Sequence, residues 1–248
     1  MIQLPTEPKI LSRSDTKATF EIGPLYPGYG TTIGNVLRRV LISSIAGAAV
    51  TSAKIKGVDH EFSTLPGVRE DIIELIVNLK KIRFKVFTDE PVVLHLSAKK
   101  NGTITAGDIE KNPDVTVVNP DQVIATIPDK KIDFELELRV EKGVGYVPVE
   151  QRQKEKLTVG EIAIDGIFTP IKNVHYSVEN IRVGQRTDYN KVLLEIETDG
   201  TISPEETLRS ASQIILDHFQ SVHGIEVPEA SIPATTKEKK AKKKKEDK

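Results

Sequence analysis

Two groups of residues have types and spacings that could do chemistry. The first is the run "GYGTTIGNVLRRVLISS", Gly28 to Ser44, in which a glycine-rich turn feeds an apolar helix. Helix N-termini offer unpaired N–H groups, and such a turn is one way to hold a phosphate. Here Gly28, Gly30 and Gly34 read G-x-G-x-x-x-G, whereas dinucleotide-binding turns read G-x-G-x-x-G. Gly34 is followed by Asn35, where a P-loop needs lysine and then serine or threonine. Pro24 and Pro27 also part the turn from the strand before it. The second group is the ionisable side chains. His60, His95, His175, His218 and His223 are scattered, and the last two lie five apart, on different faces of a helix. Metalloprotease, nucleophile-elbow and EF-hand patterns are absent from the sequence. There is no cysteine, which excludes disulfides, thiolate metal sites and cysteine nucleophiles, and fits a reducing compartment such as the cytoplasm. The reading is no catalytic site, no metal and no cofactor.

What remains of the glycine run is its arginines. On a wheel of roughly 100° per residue, Val36, Leu37, Val40, Leu41 and Ile45 gather on one face. Asn35, Arg39 and Ile42 fall near the opposite face, and Arg38 lies on the flank. One arginine, one amide and one isoleucine on an outer face make either a solvated surface or a protein contact. Arginine suits the latter, because its planar fork reads carboxylates and backbone carbonyls.

The elements that must position this helix are of mixed type. "TKATFEI" alternates as a half-buried strand, and "VTSAKIKGV" reads as another. "GVREDIIELIVNLKKI" reads as a second helix. Short strands follow, "RFKVF", "VVLHLSA", "VTVV", "QVIATI" and "IDFELELRV", parted by turn residues. "EKGVGYVPVEQRQKEK" reads as a polar loop, and "GQRTDYN" as a loop joining the strands "HYSVENIRV" and "KVLLEIETDG". Ser203 as N-cap, Pro204 at the first helical position and Glu206 closing a capping box predict a helix to about Val222. Leu208, Ala211, Ile215, Phe219 and Val222 form its apolar seam. The 248 residues suffice for one large or two modest domains, and no run reaches the roughly 20 apolar residues of a membrane helix. Net charge is −1, but Lys237–Lys248 carries +5, so residues 1–236 carry −6. An acidic body is a poor duplex-binding surface. The lysine-rich end reads as disordered, either a solubilising tail or a loose, salt-sensitive tether to DNA.

Four segments, in order, resemble the N-terminal region of bacterial RNA polymerase α subunits: "GYGTTIGNVLRRVLISSIAGAAV", "GVDHEFSTLPGVREDIIELIVNLK", "GVGYVPVEQR" and "ENIRVGQRTDYNKVLLEIETDGTISPEETLRSAS". The resemblance covers nearly all of residues 1–225. It implies an α+β fold, with a dimerisation domain from residues 1–47 plus 171–228, an inserted β-rich domain at 48–170 and a disordered tail at 229–248. It implies a non-catalytic homodimer that recruits the β and then the β′ subunit, in a complex that also holds ω and sigma and meets DNA as a whole. Carried onto this sequence, the β-docking residues are Arg39, Arg38, Asn35, Ile42, Gly67 and Asp71. Arg182, Arg186 and Asp188 are candidates for other subunit contacts, and Ile33, Leu37, Leu208, Ile215 and Phe219 for the dimer interface. Members of that family usually continue into a small helical domain that meets promoter DNA and activators. This sequence stops at Lys248, either as a natural end or as a truncation, so the resemblance does not carry over specific promoter or activator contact.

Overall fold

The computed structural model describes residues 4–99, 101–128, 133–152, 158 and 160–225. The lysine-rich end lies outside the described residues. Strands β1 (Lys9–Arg13) and β2 (Lys17–Leu25) lead into helix α1 (Tyr29–Ser44). Strand β3 (Ala46–Ile55) and helix α2 (Ile72–Leu79) follow. Next come β4 (Phe84–Val86), β5 (Val92–Ala98), β6 (Gly102–Thr105), β7 (Val115–Val117) and β8 (Val123–Ile127). Then come β9 (Phe134–Val144), β10 (Tyr146–Val147), β11 (Glu161–Ala163) and β12 (Gly166–Ile167). The long hairpin β13 (Ile171–Val183) and β14 (Arg186–Thr198) precedes α3 (Pro204–His223). The fold is α+β, as expected.

Among the described residues, those up to Ile215 form one compact unit, and Leu216–Ile225 belong to a second. Within the first unit, two sheets carry two apolar cores. One sheet runs β1-β2-β14-β13, pairing Ala18 with Ile196 and Phe20 with Leu194 across most of the chain's length. Period-two alternation turns Ala18, Phe20, Ile22, Val192, Leu194 and Ile196 inward, against Leu37 and Leu41 of α1 and Leu208 and Ala211 of α3. Its other face is charged: Lys17 meets Glu195 at 2.8 Å, and Lys191 meets Glu179 at 3.0 Å and Glu21 at 3.4 Å. The second sheet runs β11-β3-β9-β5. Its buried residues, including Leu94, Leu96, Phe134, Leu136 and Leu138, pack with Leu75 and Leu79 of α2.

Several elements differ from the sequence reading, each for a local reason. Helix α1 starts at Tyr29, four residues before Ile33, so two of the three glycines lie inside it. Only Gly28 takes a left-handed φ of 86°. Gly30 and Gly34 are helical because the helix lies close on the sheet. A Cβ on Gly30 would stand 2.7 Å from Val178 Cγ1, and one on Gly34 2.5 Å from the Tyr176 ring. Of the three glycines, only Gly28 therefore serves the turn into the helix. Helix α2 begins at Ile72, not near Gly67, because the Asp71 carboxylate accepts the Glu74 N–H at 2.7 Å and caps it. "GQRTDYN" is not a loop: the turn is Gly184–Gln185, with Val183 paired to Arg186, and β14 starts there. "EKGV" belongs to the end of β9, not to a polar loop. The capping box of α3 forms as predicted, Glu206 N–H to Ser203 Oγ at 3.2 Å and Ser203 N–H to Glu206 Oε2 at 3.4 Å.

Gly34 gives a test in which two effects oppose. Alanine gains about 1 kcal/mol of helix propensity, but overpacking against a fixed ring costs about 1–3 kcal/mol. Gly34→Ala is expected to lower the urea midpoint of unfolding, and a raised midpoint would contradict the close approach.

Candidate functional site

Because the face of α1 that carries Gly30, Gly34, Leu37 and Leu41 is buried on the sheet, the opposite face has to point away from it. Asn35, Arg39 and Ile42 are exposed there, Ile42 by 43%. The Arg39 guanidinium has no hydrogen bond or ion pair among the described residues; its carbonyl accepts the Ser43 hydroxyl at 2.8 Å. Arg38 differs from its neighbour. Its Nε donates to the Val174 carbonyl of β13 at 3.3 Å, so this arginine helps fasten the helix to the sheet. Of the two arginines, only Arg39 is left to show its full fork outward. An exposed guanidinium beside an amide and a half-exposed isoleucine can bind a carboxylate or a row of backbone carbonyls on another polypeptide.

The N-terminus of α1 is already filled from within. The Gly28 N–H donates to Asn190 Oδ1 at 2.9 Å, and the buried Gly30 N–H points to the same oxygen at 3.4 Å. Asn190 Nδ2 in turn donates to Asn180 Oδ1 at 3.0 Å. A side-chain carbonyl of β14 thus occupies the place a phosphate oxygen would take, which answers the chemistry raised by the glycine run. Among the described residues, no group of three or more His, Asp or Glu side chains could hold a metal ion. No helix among them is long and apolar enough to cross a membrane.

Gly67 and Asp71 do not lie on α1. They belong to the segment that leads into α2. Gly67 takes a φ of 84° in a turn closed by the Val68 N–H to the Leu65 carbonyl, and Asp71 caps α2. Both therefore have a local structural reason for their identity. The segment is tied to β8 by Glu70, which accepts the Thr126 N–H at 2.6 Å.

At the turn end of the β13–β14 hairpin, Arg186 and Asp188 come together in a two-bond pair, 3.0 and 2.7 Å. That pair holds the Asp188 carboxyl below its ordinary range and raises the guanidinium. Arg186 also stacks over Tyr26 and Tyr189, 5.6 and 5.5 Å from the ring centres. Tyr26 meets Tyr29, the first residue of α1, edge-on at 6.0 Å. Arg182 bonds the Gly184 carbonyl at 2.9 Å and so closes the hairpin end.

The five residues expected at a dimer interface separate by burial. Leu37 is 7% exposed and Leu208 9%, both inside the chain's own core, with Ile33 and Ile215 partly buried against it. Phe219, in the second unit, is 62% exposed, as are Leu216, Val222 and Ile225 to similar degrees. Sequence reading missed Asn190, Tyr176 and the tyrosine cluster. A polar residue with no alternation around it gave no sign of a partner 160 positions away.

With this geometry, the comparisons define first a class and then a family. A family model for the RNA polymerase Rpb3/RpoA insert domain matches residues 53–169. The DNA-directed RNA polymerase subunit alpha of Moorella thermoacetica is 49% identical over 211 residues, covering 85% of this chain and 67% of the relative. That of Flavobacterium psychrophilum is 47% identical over 222 residues, 88% of this chain and 66% of the relative. That of Alkaliphilus oremlandii is 46% identical over 224 residues, 88% and 70%. The chain belongs to the family of bacterial DNA-directed RNA polymerase α subunits. It spans about two thirds of the length of the curated relatives it matches.

Asn190 supplies the test of this site. Asn190→Ala leaves the Gly28 and Gly30 N–H groups without their acceptor and is expected to cost about 1–3 kcal/mol in chemical unfolding. ATP should leave the melting temperature of the unaltered protein in place, since only a ligand that binds the native state raises it. A rise with ATP would restore the nucleotide reading.

Proposed function

We propose that this chain is the assembly part of an RNA polymerase α subunit, a homodimer that docks the β and β′ subunits and has no catalytic site of its own. The observation that carries the reading is the outward face of α1. Its inner face is spent on the chain's own sheet, and Arg39, Asn35 and Ile42 stand free on the other side. In the proposal these three dock the β subunit. Arg38 contributes through the orientation of the helix, and Gly67 and Asp71 through the segment before α2.

The same reading takes residues 1–47 and 171–228 as a discontinuous dimerisation domain, with 48–170 as its insert. Two separate apolar cores and an insert-domain match at 53–169 support that division. The exposed Leu216, Phe219 and Val222 support self-association through the end of α3. In the dimer Ile33 and Ile215 extend the contact, while Leu37 and Leu208 stiffen it from inside. The Tyr26–Tyr189–Arg186 cluster, together with Arg182 and Asp188, is the proposed further subunit contact, a composition common at hot spots. ω, sigma and DNA are met through the complete polymerase in the cytoplasm, and the lysine-rich end adds at most weak attraction to DNA. No cofactor is required.

Capture of the β subunit by the purified protein tests this directly. Arg39→Ala is expected to weaken capture roughly 30-fold, the equivalent of about 2 kcal/mol for a hot-spot arginine. Light scattering should still find a dimer. A monomer that ignores the β subunit would overturn the proposal.

A further inference from the structure

Phe168 is only 4% exposed, yet it belongs to neither apolar core. It sits where the chain returns from the second sheet to the first, just before β13. Three glycines from three strands make room for it. A Cβ on Gly143 of β9 would stand 2.7 Å from its ring, and one on Gly166 of β12 would strike the ring edge. One on Gly47 of β3, where the chain leaves α1, would run into its carbonyl. Gly47 and Gly143 are paired across the β3–β9 ladder, so Phe168 lies over bare backbone, its carbonyl above Gly47 and its ring above Gly143. The Phe168 N–H is held by the Gly145 carbonyl at 2.9 Å. Outbound and return crossings are thus pressed together at Phe168, Gly143 and Gly166 against its ring and Gly47 against its carbonyl.

A second clamp joins the same two bodies. Arg83, just before β4, has its Nε 3.6 Å from Asp199 Oδ2, and the Asp199 side chain is 6% exposed. Asp199 ends the β14 side: its N–H donates to the Pro170 carbonyl at 2.9 Å, and its other oxygen accepts the Thr201 N–H and hydroxyl at 3.0 and 2.6 Å. Arg83 is fixed in turn, its N–H donating to Asn119 Oδ1 at 2.7 Å and its carbonyl accepting the Val118 N–H at 2.9 Å. Removing Arg83 would leave the buried Asp199 carboxylate without its cation.

We propose that Phe168 in its glycine seat and the Arg83–Asp199 pair together form a rigid joint. The joint fixes the angle between the two sheets and so, on the scaffold reading above, presents the subunit-docking surfaces of both bodies at one set orientation. In this proposal each group acts as a positioning residue. Two crossing segments alone would act as a hinge, since each has freely rotating backbone bonds. Close packing over glycine at one point and an ion pair at another remove that freedom.

The chain has no cysteine, so paired spin labels can be placed at will. Thr103→Cys on the second sheet's side and Ser177→Cys on the first are both exposed. With labelled protein diluted in unlabelled protein, so that only distances within one chain are read, electron–electron resonance should give one narrow distance. Phe168→Ala and Arg83→Gln are each expected to broaden it, while far-ultraviolet circular dichroism stays native. An unchanged narrow distance in folded Phe168→Ala would overturn the proposal. Should that variant fail to melt cooperatively, Arg83→Gln decides in the same way. Capture of the β subunit by the unaltered chain is scored separately. A rigid joint in a chain that ignores the β subunit would overturn the scaffold reading and leave the joint standing; a β-binding chain whose variants keep the narrow distance would do the reverse.

Discussion

The close seat of α1 on the β13–β14 hairpin, made by Gly30 and Gly34, is the contact on which the rest depends. Without side chains at those two positions the helix backbone can rest against Val178, Asn190 and Tyr176. That approach brings Asn190 within reach of the first N–H groups of α1 and lets Arg38 reach the Val174 carbonyl. It also decides which residues are free. With Leu37 and Leu41 committed to the core, the rotation of the helix is fixed, and Arg39, Asn35 and Ile42 have to point outward.

The second consequence is topological. The sheet under α1 is closed only when β2, from the start of the chain, pairs with β14, near its end. Everything between α1 and β13 therefore leaves this sheet and returns to it through adjacent crossings. The intervening chain has to bury its own apolar residues, and it does so around the second sheet and α2. A core of that size, separate from the first, is what an insertion needs to fold without disturbing its host. The two bodies then meet at a place defined by one ring, three glycines and one ion pair.

Much of this was legible in the sequence where the cause is local. The Ser203–Glu206 box, the alternation of "VVLHLSA" and "IDFELELRV", and the outward place of Arg39 all rest on neighbours a few positions away. What could not be read has distant causes. Gly30 and Gly34 look like turn residues until the sheet beneath them is known. Asn190 looks like loop polarity until its amide is seen to cap a helix in the first fifth of the chain. Phe168 looks like one more apolar strand residue, because the glycines that seat it lie on three other segments. "GQRTDYN" looks like a loop because both faces of the hairpin end are polar, which hides the alternation of a strand whose far end projects past its covering helix. Family resemblance, in contrast, was carried by long ordered segments and placed the chain before any contact was known.

The central claim is that the outward face of α1 is the surface that meets the β subunit. The most direct measurement is thiol protection at single cysteines placed at residues 35 and 42, compared with one at residue 177 on the charged sheet face. With the β subunit bound, thiols at 35 and 42 should become slow to alkylate while the one at 177 reacts as before. Equal reactivity at 35 and 42 with and without bound β subunit would contradict the account.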